Sequence, residues 1–211
     1  MADSFSILHV AEYLKRLGLK FPQVKDAQNT IDLTFTSSYG QWRMIVGIHH
    51  SGGASKLMLI APNLGTVTEQ KRLACLEALL TVNYRIALGK FGIDPADGEV
   101  RLEESIPLAE QSVSFEQFRL AFSALIQTVS IYQDLLPRII YRDITAQEAI
   151  KACEDDFFKN AHHETEIQTS TAMAHVAERQ TTNTVKDEEA SELNIDEVLA
   201  EVELLFKKRQ E

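Results

Sequence analysis

The chain has 211 residues, of which 45% are hydrophobic and 25% are charged, enough for one soluble domain with an extension. The net charge of −10 disfavours nucleic acid and anionic lipid as ligands, and no apolar run approaches the ~20 residues that cross a bilayer. The two cysteines, at positions 75 and 153, do not form a disulfide framework, so we expect a cytoplasmic protein that binds neither nucleic acid nor membrane.

The first predicted element is an amphipathic helix that begins near Ser4 or Ser6 and ends near Gly18. Its apolar side chains recur at helical spacing, at Ile7, Leu8, Ala11, Leu14 and Leu17. We predict a partner-binding ridge made of Ile7, Leu8, Ala11 and Leu14, and we expect the core of the domain to take up some of these four side chains.

Three strands are predicted next, in "NTIDLTFTSS", "QWRMIVGIHH" and "SKLMLIAP". Apolar and polar residues alternate along the first strand, as expected when one face of a sheet is buried. The third segment is apolar on both faces, which is typical of a central strand. The short connections "SYG" and "SGGAS" favour tight turns, so the pattern predicts an antiparallel meander.

Two further helices are predicted, in "QKRLACLEALLTVNYR" and from Ser114 onward. In the first of these, Leu73, Leu76, Leu80 and their neighbours form a broad apolar face. The helix that begins at Ser114 has Gln117 at the reciprocal capping position, and Pro137 is expected to end or kink it. Its predicted buried stripe consists of Phe115, Phe118, Phe122, Leu125, Ile126, Val129 and Tyr132.

The segment "IALGKFGIDPADGEVRLEESIPL" lies between these helices, and its two glycines raise the question of a phosphate-binding loop. Such a loop needs a helix directly after the glycines, and none is predicted here. "DPADG" instead has the composition of a turn, with alternating residues on both sides. We therefore predict a β-hairpin in which Lys90 is a surface residue.

The composition changes after Phe158. Residues 158–211 carry 6 basic and 12 acidic residues, so they hold −6 of the net charge of −10. Residues 158–191 have no aromatic residue after Phe158 and few large aliphatic ones, which predicts a disordered linker after a domain over residues 1–157. Residues 192–211 predict an amphipathic helix whose stripe is formed by Ile195, Val198, Leu199, Val202, Leu205 and Phe206.

With the hairpin in place, the order is helix, three strands, helix, two strands, helix, and the predicted fold class is an α+β sandwich with an antiparallel sheet. In this order, and in the segments "LLTVNYRIALGKFG", "ALGKFGIDPADGEVRLEESIPL" and "SFEQFRLAFSALIQTVSIYQDLLPRII", the chain resembles the YbjN-type proteins, which are similar in fold to class I type III secretion chaperones. The resemblance covers roughly residues 4–145. It implies a non-enzymatic domain, commonly dimeric, that binds segments of other proteins.

The histidines and cysteines considered as reactive groups are better explained as structural residues than as metal ligands or nucleophiles. His49 and His50 are adjacent in a strand and point to opposite faces, so they are poorly placed to chelate a metal. Cys75 lies among leucines with no neighbouring base, which is typical of a buried side chain. We expect neither a metal nor a cofactor.

The predicted terminal helix is open to two interpretations. It covers an apolar surface of its own domain or of a sister subunit, or it enters a groove of another protein. Our leading hypothesis is a homodimeric, non-enzymatic adaptor or assembly chaperone that binds a client through the sandwich, the terminal helix or both. The alternatives are a structural dimer whose terminal helix completes its core, and a protein that binds a small ligand.

Overall fold

The computed structural model describes residues 5–21, 24, 29–37, 39–51, 53–108 and 112–159. The predicted linker lies outside these residues apart from positions 158 and 159, and the predicted terminal helix lies outside them entirely. The elements are α1 (Ile7–Arg16), β1 (Thr30–Ser37), β2 (Gly40–Ser51), β3 (Ala54–Thr66), α2 (Arg72–Arg85), β4 (Lys90–Ile93), β5 (Glu99–Leu108), α3 (Phe115–Tyr132), α4 (Leu135–Tyr141) and α5 (146–159). The predicted α+β class and the order of its elements are confirmed.

All strand pairs are antiparallel, and the sheet has the order β1-β2-β3-β5-β4. The register places apolar residues opposite one another on one face, as in the pair Val46 and Leu59 and the pair Ala61 and Leu102. A bulge between Ala61 and Gly65 shifts the register of β3 against β5. Alternation of buried and exposed residues along β1 shows that the described residues cover only one face of the sheet there.

Helices α1 and α3 pack on the covered face of the sheet and form the larger part of the core. Their contact includes a hydrogen bond of 2.9 Å from the Tyr13 hydroxyl to the Val113 carbonyl oxygen, and the Arg16 guanidinium stacks on the Phe115 ring. The predicted stripe of α3 is buried, with Phe115 half-buried at its start. Both bonds of the predicted capping box between Ser114 and Gln117 are present.

Helices α2, α4 and α5 enclose a second apolar cluster beside β5. The buried Arg138 of α4 donates hydrogen bonds of 2.7 Å to Asp134 and to Asp156, and the second of these holds α5 against α4. Pro137 does not end α3, which stops at Tyr132. It lies in the first turn of α4, where a backbone N–H has no partner within the helix and its loss costs nothing.

The segment with two glycines is a hairpin of β4 and β5, as predicted. The strand begins at Lys90, so residues 86–89, which the alternation also assigned to it, precede the strand. The Asn83 side chain accepts a hydrogen bond of 2.7 Å from the Phe91 backbone N–H and donates one of 2.9 Å to the Phe91 carbonyl. These two bonds attach the end of α2 to β4. At the turn, Gly98 has a φ of +77°, which other residues rarely adopt.

Candidate protein-binding surfaces

The predicted ridge on α1 is mostly part of the core. Ile7 and Ala11 are 4% and 6% exposed, and Leu14 is fully buried. Leu8 alone among the four predicted residues is exposed, at 46%. The ridge residues therefore do not form a continuous apolar surface, and whether Leu8 contacts a partner remains a prediction.

A continuous apolar surface lies instead on α2. Leu73, Leu76, Leu80 and Tyr84 are 82%, 37%, 63% and 93% exposed. Their spacing of three, four and four residues places them in one row along the helix, which we call the α2 stripe. The row spans twelve residues, and its first and last residues are about 17 Å apart along the helix axis. The helix surface is convex here, which suits contact with another polypeptide better than enclosure of a small molecule.

The opposite side of α2 is the one that faces the core, through Cys75, Ala78, Leu79 and Val82. The apolar face predicted from Leu73, Leu76 and Leu80 is therefore present on α2, but its side chains are exposed and are not the ones that the domain buries. The sequence did contain a signal, because α2 is apolar around most of its circumference. A helix with that pattern is either buried on all sides or has a second apolar contact to make.

Two ion pairs fix α5 beside α2. At the start of α2, Lys71 pairs with Asp143, which lies just before α5. At the end of α2, Arg85 Nη1 lies 2.9 Å from Glu154 Oε1, in the third turn of α5. The two helices therefore run in the same direction. The described chain ends at position 159, about 8 Å along the axis beyond Glu154, near the end of α2 that carries Tyr84.

Charged groups surround the α2 stripe on several sides. The Lys71 ammonium lowers the pKa of the Asp143 carboxyl by hydrogen bonding and by its charge. Glu69 and Glu77 are exposed near the first half of the stripe. The Nε atom of Arg72 is buried and has no hydrogen-bond partner among the described residues. The rim thus offers both signs of charge to a partner.

The uncovered face of the sheet is a second accessible surface. Ile45, Met58 and Ile60 are half-buried there, and Asp32 and Arg43 form an exposed ion pair beside them. This face is more polar than the α2 stripe. It therefore offers less apolar area for a partner to bury.

The candidate chemical groups are placed as follows. Cys75 and Cys153 are buried in the second cluster, and burial raises the pKa of both thiols, that of Cys153 to about 11. His50 Nδ1 lies 2.7 Å from the Ser55 hydroxyl oxygen at an exposed position. Lys90 donates a hydrogen bond from Nζ to the Ile86 carbonyl oxygen.

The described residues contain neither a metal-binding cluster nor a membrane-spanning helix. No group of three or more His, Cys, Asp or Glu side chains in that part of the chain is arranged to hold a metal ion. Within the same residues, no helix has the length and apolarity needed to span a membrane.

Residues 7–137 match the YbjN family, which is described as "Putative bacterial sensory transduction regulator". The match covers more than half of the chain, so the protein belongs to the YbjN family. The resemblance predicted from the sequence is confirmed over nearly the range expected for it.

Solved structures similar to the chain include YbjN from E. coli, with 15% identity, a TM-score of 0.41, and coverage of 61% of this chain and 89% of that one. The ExsC–ExsE complex has 21% identity, a TM-score of 0.43, and coverage of 64% and 97%. The ExoU–SpcU heterodimer of the type III secretion system of Pseudomonas aeruginosa has 19% identity, a TM-score of 0.39, and coverage of 56% and 88%. No curated protein matches the chain.

Proposed function

We propose that this member of the YbjN family is a non-enzymatic, cytoplasmic adaptor with a chaperone-like role, which binds a client protein through the α2 stripe. The observation that supports the proposal is the exposure of Leu73, Leu80 and Tyr84, with Leu76, in one row. Soluble domains rarely leave large apolar side chains contiguous and exposed, and a surface of this kind marks a site of association.

The client is expected to present an apolar ridge of its own. Four side chains in a row along about 17 Å correspond to three turns of an amphipathic helix, whose anchors recur at three and four residues. The mixed charge around the stripe, from Glu69 and Glu77 to Arg72 and Arg85, favours a client with charged flanks of both signs. A homodimer is part of the proposal and is measured separately, by sedimentation.

The binding surface is tested by capture from native extract with the full-length chain as bait. We compare the wild type with Leu80→Asp, which places a charge in the centre of the α2 stripe. The matched control is Leu120→Asp, because Leu120 is also an exposed leucine within a long helix, at 47% exposure, but belongs to α3. Each captured protein is then purified and its affinity for the three baits is measured by calorimetry.

The proposal predicts a partner that binds wild type and Leu120→Asp equally and binds Leu80→Asp at least about tenfold more weakly, since a buried carboxylate without a partner is costly. A partner that loses affinity only with Leu120→Asp would move the site to α3. If purified partners bind all three baits equally, or if none is found, the adaptor proposal is wrong for the α2 stripe.

A further inference from the structure

We infer that residues 192–211 form a helix that lies antiparallel on the α2 stripe of the same chain. The inference goes beyond the proposed function, because it concerns the protein alone, whether or not another protein also binds the stripe. It assigns an occupant to the exposed side of α2 and a docking surface to the amphipathic C-terminal segment.

The two apolar rows have the same length. The α2 stripe runs from Leu73 to Tyr84, and the row in the terminal segment runs from Ile195 to Phe206, so each spans twelve residues, with eleven steps from the first to the last. At 1.5 Å per residue, both rows are about 17 Å long. A short isolated helix is only marginally stable in water, so the terminal row needs an apolar surface to pack on.

The position of the chain end brings the two rows together. The pair of Arg85 with Glu154 holds α5 at the end of α2, and the described chain ends five residues later. Residues 160–191 then connect it to the terminal segment, and if they form the linker predicted from the sequence, a chain of that length spans about 30 Å on average. This reach exceeds the length of the stripe, and such a tether gives an effective concentration on the order of millimolar.

Charge favours an antiparallel direction for the terminal helix. In that arrangement, the acidic first turn with Asp196 and Glu197 lies at the end of α2 where Arg85 already pairs with Glu154, and the basic last turn with Lys207 lies near the exposed Glu69. The two helix dipoles also oppose each other, which is the favourable arrangement. A parallel arrangement would place the basic turn near Arg85 and would move it away from Glu69.

Docking of this kind makes the terminal segment a competitor of any client that uses the α2 stripe. A client must displace a tethered helix, so its apparent affinity is reduced by the fraction of chains whose stripe is covered. Removal or modification of the terminal segment would then raise that affinity without any change in the domain.

The direction of the helix is tested by disulfide trapping in the full-length chain. Tyr84→Cys is combined with Ile195→Cys for the antiparallel arrangement and with Phe206→Cys for the parallel one. The control combines Leu120→Cys with Ile195→Cys, which reports collisions due to the tether alone. The native cysteines are buried, at 0% and 3% exposure, and do not interfere in the folded protein.

The inference predicts that the pair of positions 84 and 195 forms a disulfide within one chain about tenfold faster than either other pair, in line with an effective concentration set by docking. A disulfide that joins two chains would assign the stripe to a second copy and overturn the inference. A faster reaction of positions 84 and 206 would reverse the direction, and equal rates for all three pairs would show that the terminal segment does not dock.

Hydrogen exchange provides a readout that introduces no cysteine. Amides of residues 195–206 should be protected in the full-length chain, lose that protection in Leu80→Asp, and keep it in Leu120→Asp. Protection that survives Leu80→Asp would contradict the docking surface. Both experiments omit any partner, so their failure would leave the client-binding measurement unaffected.

Discussion

The clearest test of the structure uses two neighbouring leucines of α2, one buried and one exposed. Leu79 is 3% exposed and lies in the second apolar cluster, whereas Leu80 is 63% exposed in the α2 stripe. The substitutions Leu79→Ala and Leu80→Ala remove the same atoms from adjacent positions of one helix. Helix propensity changes equally in both, so the difference between them reports burial alone.

The expected losses follow from the exposed fractions. Truncation of the buried leucine leaves a cavity, and Leu79→Ala should lower the free energy of unfolding by about 2–5 kcal/mol. Leu80 has only about a third of its surface to lose. With ~2–3 kcal/mol for complete burial of a leucine, Leu80→Ala should cost about 1 kcal/mol or less.

Urea denaturation measures both values, with circular dichroism as the signal, in full-length variants that also carry Leu199→Asp, so that the terminal segment cannot cover Leu80; the parent carries Leu199→Asp alone. For a chain of this size, about 1 kcal/mol corresponds to 2–4 °C in Tm, so Leu79→Ala should melt at least about 5 °C below that parent. Equal losses in the two variants, or a larger loss in Leu80→Ala, would mean that α2 does not face the core through Leu79.

Three further predictions concern the hairpin and the second cluster. Gly98→Ala should lower the free energy of unfolding by about 2 kcal/mol or more, because φ is +77° and a β-carbon would lie 2.3 Å from a backbone carbonyl oxygen. The control is Gly92→Ala, which should cost little because nothing lies within 4 Å of the added β-carbon. Equal urea midpoints for the two variants would contradict the prediction. Asn83→Ala should lower the free energy of unfolding by about 2–4 kcal/mol, because both backbone groups of Phe91 lose their hydrogen-bond partners. Asn83→Asp keeps the acceptor for the Phe91 N–H, so it should lose less in the same urea assay. Burial raises the pKa of Cys153 from 9.0 to about 11, so the thiol ionises at lower pH in the unfolded chain than in the folded one. The stability from this group is therefore full below about pH 9 and is lost as the pH rises through 11. Tm should fall over that window, and less so in Cys153→Ala, whereas identical pH profiles of the two proteins would refute the assignment.

The hairpin shows which features of the fold can be predicted from neighbouring residues. A proline, an acidic residue and a glycine in five positions set the turn, and alternation sets the strand that follows it. The start of β4 was misplaced by four residues, because alternation continues through residues 86–89 although they make no ladder contacts. The attachment of Phe91 by Asn83 joins two elements, and the sequence contains no periodic signal for it.

The exposure of the candidate binding surfaces, in contrast, depends on tertiary packing and could not be predicted from local sequence. The predicted ridge on α1 was mainly core, and the apolar face predicted on α2 was mainly exposed. Both helices have an apolar row at the correct spacing, and periodicity identifies such a row without saying what it contacts. For α2, with apolar residues on two sides, the choice of the buried side depends on where α4 and α5 lie.

The sequence by itself determined the fold class, the order of the elements, the family and the hairpin, because capping, turns and periodicity are local properties of consecutive residues. The tertiary structure decided which apolar rows are buried in the core, since that choice depends on helices far apart in the chain. Leu73 and Leu79 are equally apolar and lie six residues apart on one helix, yet one is 82% exposed and the other 3%. Their difference comes from the packing of α4 and α5 against one side of α2, and it leaves the other side available for a partner helix.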